Sequence, residues 1–74
     1  KQEHEACLRY VEAILAINPE SPEHRLLKAM LCLNTGRIAE GITETDWVLE
    51  RQPEEIVIEE VYRLKATLEA MQAP

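Results

Sequence analysis

Phenylalanine is absent from this 74-residue sequence, glycine occurs only twice, and a single tryptophan and two tyrosines are its whole aromatic complement. So little glycine and so few rings argue against a many-turned β-sandwich. The abundant Ala, Leu, Ile and Glu suit packed helices. No phosphate-cradling glycine loop, nucleophile elbow or dinucleotide fingerprint occurs. Cysteine is scarce as well. Cys7 and Cys32 both fall in apolar periodic segments, where they read as small buried core residues in a reducing compartment and not as a disulfide framework. No secretory or transit pattern and no apolar run of roughly 18 residues is present, so a soluble, cytoplasmic protein is expected. Basic residues are outnumbered, 8 against 14 acidic ones, for a net charge of −6. That balance excludes nucleic acid and anionic membrane as expected partners, since both are bound through Lys and Arg.

What remains is helical periodicity in four segments. The first runs from about Glu3 to Ile17, with Cys7, Val11, Ile14 and Leu15 at helical spacing, flanked by Leu8 and Ile17, until Asn18-Pro19 stops it. Ser21 is the expected N-cap of a second helix that has Pro22 in its first position and Glu23 in its first turn. That helix, to about Asn34, is apolar around much of its circumference, as in an element with neighbours on several sides. Gly36 supplies a left-handed stop. A third helix over about 38–51 places Ile38, Ile42, Thr45 and Leu49 on one stripe, with Gly41 and Val48 beside it, and ends before Pro53. A fourth, over about 55–72, carries Val57, Val61, Leu64, Leu68 and Met71. Its acidic pairs Glu54-Glu55 and Glu59-Glu60 read as a helix N-terminus and a solvated face.

The segments repeat. Asn18-Pro19-Glu20 and Gln52-Pro53-Glu54 close two helices, and the step from Pro19 to Pro53 also superposes Cys7 on Gly41, Leu8 on Ile42, Ile14 on Val48 and Leu15 on Leu49. This pattern resembles the tetratricopeptide (TPR) repeat, whose period of about 34 residues equals that step. Cys7-x3-Val11 and Gly41-x3-Thr45 stand where that family carries Ala-x3-Phe, and Gly36-Arg37-Ile38 resembles its inter-helix turn. The first-helix signature departs: Arg25, Lys28, Ala29 and Cys32 replace Trp, Leu, Gly and Tyr, and only Ala29 is close. The resemblance implies an all-α fold of antiparallel helical hairpins stacked as a TPR-like solenoid fragment of four helices. It divides the single domain 1–74 into a half repeat (1–19), a full repeat (20–53) and a capping helix (54–74). Small residues at Cys7 and Gly41 are expected at close helix crossings. A start in mid-repeat suggests that Lys1 is internal to a longer protein, or that the chain completes its core by self-association. More narrowly, the Leu-Ala-Ile-Asn-Pro-Glu-Ser-Pro-Glu stretch and the segment from Asp46 to Glu55 resemble the C-terminal tail of bacterial transglutaminase-like accessory proteins. In that case the chain is a non-catalytic piece of such a protein.

A TPR-like module implies protein binding. Leu26, Met30 and Leu33 share one face of the second helix, with Asn34 at its edge, and Trp47 is the candidate aromatic anchor; these five are the expected partner-binding face. Each also has a purely structural reading, as packing against neighbouring helices. Lys and Arg do not stand where carboxylate-clamping members of the family carry them. His4 and Cys7, three apart, are too few for a zinc site and lack an orienting Asn or Asp for catalysis. The expectation is therefore no enzyme activity, cofactor or metal, and a protein partner: a peptide, a helix, a neighbouring domain or a second copy. A plain helical bundle with only structural work is the remaining alternative.

Overall fold

In the computed structural model, which describes residues 2–72, the chain forms four α-helices, and no strand occurs among the described residues. They are α1 (Gln2–Ile17), α2 (Pro22–Thr35), α3 (Ile38–Arg51) and α4 (Ile58–Gln72). The expected internal position of Lys1, and the last two residues of the closing segment, lie outside the described residues.

Local chemistry sets the boundaries. At the end of α1 the Asn18 N–H donates to the Ile14 carbonyl at 2.8 Å, and Pro19 cannot extend the ladder. Ser21 takes extended backbone angles (φ −87°, ψ 106°), and its hydroxyl accepts the His24 N–H at 3.4 Å while lying 2.7 Å from His24 Nδ1. The cap, Pro22 and Glu23 stand as the sequence predicts. Gly36 ends α2 with φ 80°, and both its N–H and that of Arg37 donate to the Cys32 carbonyl. In α3 the Gln52 N–H donates to Val48 at 2.8 Å. That bond lies one Pro19-to-Pro53 step after the Asn18–Ile14 bond, so the echo in sequence is also an echo in hydrogen bonding.

Past the second proline the echo slips. Pro53 opens a turn closed by the Ile56 N–H on the Pro53 carbonyl at 3.2 Å, Glu54 and Glu55 lie within it, and α4 begins at Ile58 instead of near Glu55. One step on from the capping Ser21 stands Glu55, which lacks the short hydroxyl that makes a good N-cap. Glu59 and Glu60 occupy the first turn of α4, where the helix dipole favours carboxylates.

Consecutive helices run antiparallel. The start of α1 meets the end of α2 in the core cluster of Leu8, Val11, Leu15, Leu31 and Cys32. Cys32, late in α2, lies beside Gly41, early in α3, while Arg25 at the start of α2 reaches Trp47 late in α3. Gly41 in turn meets Leu68, late in α4. α2 packs on both α1 and α3, α4 packs on α3, and α4 also touches α2. The result is a slab of 34 × 29 × 15 Å.

The tightest approach is at Gly41. A Cβ there would sit 3.0 Å from Leu68 Cδ2 and 3.2 Å from Cys32 Cβ, so three helices converge on a position that has no side chain. Cys7 does not match it. Cys7 is exposed, because α1 sets Leu8, the next residue, against α2. The expectations of a buried Cys7 and of a crossing equivalent to Gly41 are both corrected. The buried face of α3 is likewise rotated from the predicted stripe: Gly41, Glu44, Thr45 and Val48 are buried, whereas Ile38, Ile42 and Leu49 are half-buried. On α4, Val61 and Leu68 are buried; of the two ends of the predicted stripe, Val57 falls before the helix and Met71 near its close, and both are exposed.

Candidate interaction surface

α2 sits in the middle of the slab, and its circumference divides by function. Ala29, Leu31 and Cys32 are buried. Arg25 and Lys28, one turn apart beside them, point to carboxylates on the flanking helices. The far flank carries Leu26, Met30 and Leu33 at helical spacing, with Leu26 and Leu33 half-buried and Met30 42% exposed. Leu27 is exposed as well. Asn34 stands exposed one turn after Met30, where its amide donates to the Met30 carbonyl at 3.1 Å. Four of the five predicted residues thus lie together on α2, open to solvent to different degrees.

Trp47 is held differently. Its ring is half-buried between two guanidinium groups, Arg25 at 4.7 Å and Arg51 at 4.0 Å from the ring centre. Cation–π contacts of this kind are worth about 0.5–1 kcal/mol at exposed sites and more when desolvated. Arg25 does three things at once. Its Nε donates to the Pro19 carbonyl at 3.0 Å, its Nη1 donates to Glu44 Oε1 at 3.0 Å, and its plane covers the indole. One side chain therefore ties the α1–α2 turn, α2 and α3 together, with Trp47 as part of that tie.

Sequence reasoning missed Glu44. It is 5% exposed, with one carboxylate oxygen on Arg25 and the other 3.4 Å from Lys28 Nζ. Lys28 also lies 3.7 Å from Glu12 on α1, and Arg37 at the start of α3 reaches Glu5, Glu12 and Glu40 at 3.5–3.9 Å. Three cations and four carboxylates form a seam from α1 across α2 to α3. No buried side-chain polar atom lacks a partner among the described residues. A signal was present in the sequence: Glu44 falls one turn from both Gly41 and Val48, on the face that packing requires, and Arg25 and Lys28 interrupt an apolar helix at the matching spacing. On the far side of α3, Lys65 Nζ binds Asp46 at 2.6 Å, and that hydrogen bond raises the lysine pKa.

Buried Cys32 has its thiol pushed up to about 11, chiefly by desolvation and then by the nearby Glu40 carboxylate. Such a thiol is unreactive near neutrality. Among the described residues no three or more His, Cys, Asp and Glu side chains gather into a group able to hold a metal ion, and no helix is long and apolar enough to cross a membrane. Comparison with known families, curated proteins and solved structures finds no match to this chain.

Proposed function

We propose that the chain is a non-catalytic, TPR-like protein-interaction module that docks a partner helix, peptide or domain, or a copy of itself. The observation that carries this reading is the flank of α2, where Leu26, Met30 and Leu33, with Leu27 beside them, stay partly open in the middle of the slab instead of closing into the core. An amphipathic helix laid into an apolar groove is read through anchors at this spacing, and methionine adapts its shape to different partners. Two further features support the repeat character: antiparallel hairpins in series, and helix-ending hydrogen bonds that recur at the proline step. The salt-bridged seam takes the role of scaffold, fixing α2 between α1 and α3 so that its outer flank is presented rigidly.

The test is a selection of amphipathic helical peptides displayed on phage against the wild-type protein, followed by titration against Leu26→Glu/Met30→Glu. Both positions are partly exposed, so the variant keeps its helical signal. Selected peptides should lose binding by at least an order of magnitude. Unchanged binding removes α2 as the docking face.

A further inference from the structure

The negative charge of this chain is spread unevenly. Arg25, Lys28, Arg37, Arg51 and Lys65 are each committed to carboxylates within the molecule. The surplus acid collects at one end of the slab, where α2 starts, α3 closes and α4 starts. Glu23 stands there in the first turn of α2, Glu54 and Glu55 in the turn that opens on Pro53, and Glu59 and Glu60 in the first turn of α4. All five are exposed, and none is bridged to a cation among the described residues. Arg51, at the same end, is already divided between Glu20 at 3.8 Å and Glu50 at 3.5 Å. Arg63, one turn further along α4, offsets one carboxylate at longer range. Helix dipoles favour Glu23, Glu59 and Glu60 individually, but the fields of all these groups add, and outside the helices the sum is negative.

The open flank of α2 begins at this end. Leu26 follows Glu23 by three residues and Leu27 by four, so the carboxylate stands on the same side of the helix as the stripe, while the other end of the stripe closes on uncharged Asn34. Leu68, late in α4, and Cys32, late in α2, both meet Gly41. The two helices therefore run parallel, and Glu59 and Glu60 come level with Glu23. We propose that the partner taken by the α2 flank is an amphipathic protein helix with Lys or Arg clustered in its last turn, docked antiparallel to α2 so that this turn lies over Glu23 and the start of α4. The inference rests on the reading of that flank as a docking face and adds the chemistry and direction of its occupant. Charge complementarity carries it: an acidic partner is repelled at this end, and an uncharged one gains nothing from the field. Direction follows from the partner itself, whose own dipole favours cations in its last turn. Between Leu26 and Leu33 α2 rises about 10 Å, so a partner of roughly three turns covers the stripe and reaches the carboxylates. Apolar contact holds the helix, and charge selects which helix and which way round.

The test uses synthetic helical peptides that share one leucine stripe at steps of four and three and differ only in a charged pair: arginines, glutamines or glutamates in the last turn, or arginines in the first. Each is titrated against the chain by fluorescence polarisation. At low salt the peptide with arginines in its last turn should bind about tenfold tighter than the glutamine peptide, with the glutamate peptide weakest, and the gap should close at high salt. Glu23→Arg/Glu60→Arg, at two exposed positions, should reverse that order with the helical circular-dichroism signal intact. Leu26→Gln/Met30→Gln, which adds no charge, should abolish binding of every peptide. Equal affinity for the arginine and glutamine peptides overturns the inference, as does arginine in the first turn binding as well as in the last. If binding is still lost in Leu26→Gln/Met30→Gln, the α2 docking face stands without the basic partner. Binding of the arginine peptide that survives Leu26→Gln/Met30→Gln overturns both readings, because charge alone then holds it. Failure of all the peptides to bind overturns the inference too, and the displayed-peptide selection then judges the α2 face by itself.

Discussion

Replacing Gly41 by alanine sets two known effects against each other. Alanine in place of glycine inside a helix favours folding by about 1 kcal/mol, through backbone entropy. At this position the added methyl would stand 3.0 and 3.2 Å from the two Cδ atoms of Leu68 and 3.2 Å from Cys32 Cβ, where non-bonded carbons prefer roughly 3.5–4.0 Å. Neither neighbour yields easily. Leu68 is fully buried, so its methyl groups cannot swing into solvent, and a Cβ moves only with its helix. Overpacking of a filled core costs about 1–3 kcal/mol, so Gly41→Ala should lose about 1 kcal/mol net. Urea unfolding followed by the helical circular-dichroism signal measures it. Leu68→Val shortens the side chain that stands closest. In that background Gly41→Ala should be neutral or stabilising, giving a coupling of about 1 kcal/mol in the double-mutant cycle. If Gly41→Ala alone stabilises by the full helix-propensity amount and the cycle shows no coupling, the three-helix convergence at Gly41 is wrong.

Glu44→Ala should destabilise by about 2–3 kcal/mol in the same assay, because it strips two cations of a buried partner; Glu44→Gln, which keeps one acceptor, should cost less. Ser21→Ala removes the α2 cap and should cost about 1 kcal/mol. Thiol titration with an aromatic disulfide should find Cys7 at once and Cys32 only on unfolding, and two fast thiols would contradict the burial. The folded state holds the Cys32 proton up to about pH 11, whereas the unfolded chain releases it near 9.0. Stability from this group is therefore complete below pH 9 and declines as pH rises towards 11, and Cys32→Ala should flatten the decline.

Much of this molecule is written locally. Pro19, Pro53, Gly36 and the Ser21-Pro22 cap act over a few bonds, so helix number, most boundaries and the proline echo follow from the sequence without knowledge of neighbours. The grouping of Leu26, Met30 and Leu33 on one side of α2 follows from helical periodicity alone. What periodicity cannot give is the angle at which each helix faces the next. One residue of rotation exposes Cys7 and buries Leu8; a similar turn of α3 buries Glu44 in place of Ile38 and Ile42. That turn is fixed by contacts distant in sequence, namely Arg25 and Lys28 on the Glu44 carboxylate and Leu68 against Gly41. α4 starts late because the turn that opens on Pro53 runs on through Glu55, which stands where the first copy has its Ser21 cap. Local bonding therefore determined the helices. Side-chain volume and charge pairing between helices, which only the tertiary structure sets, decided which surfaces were left open.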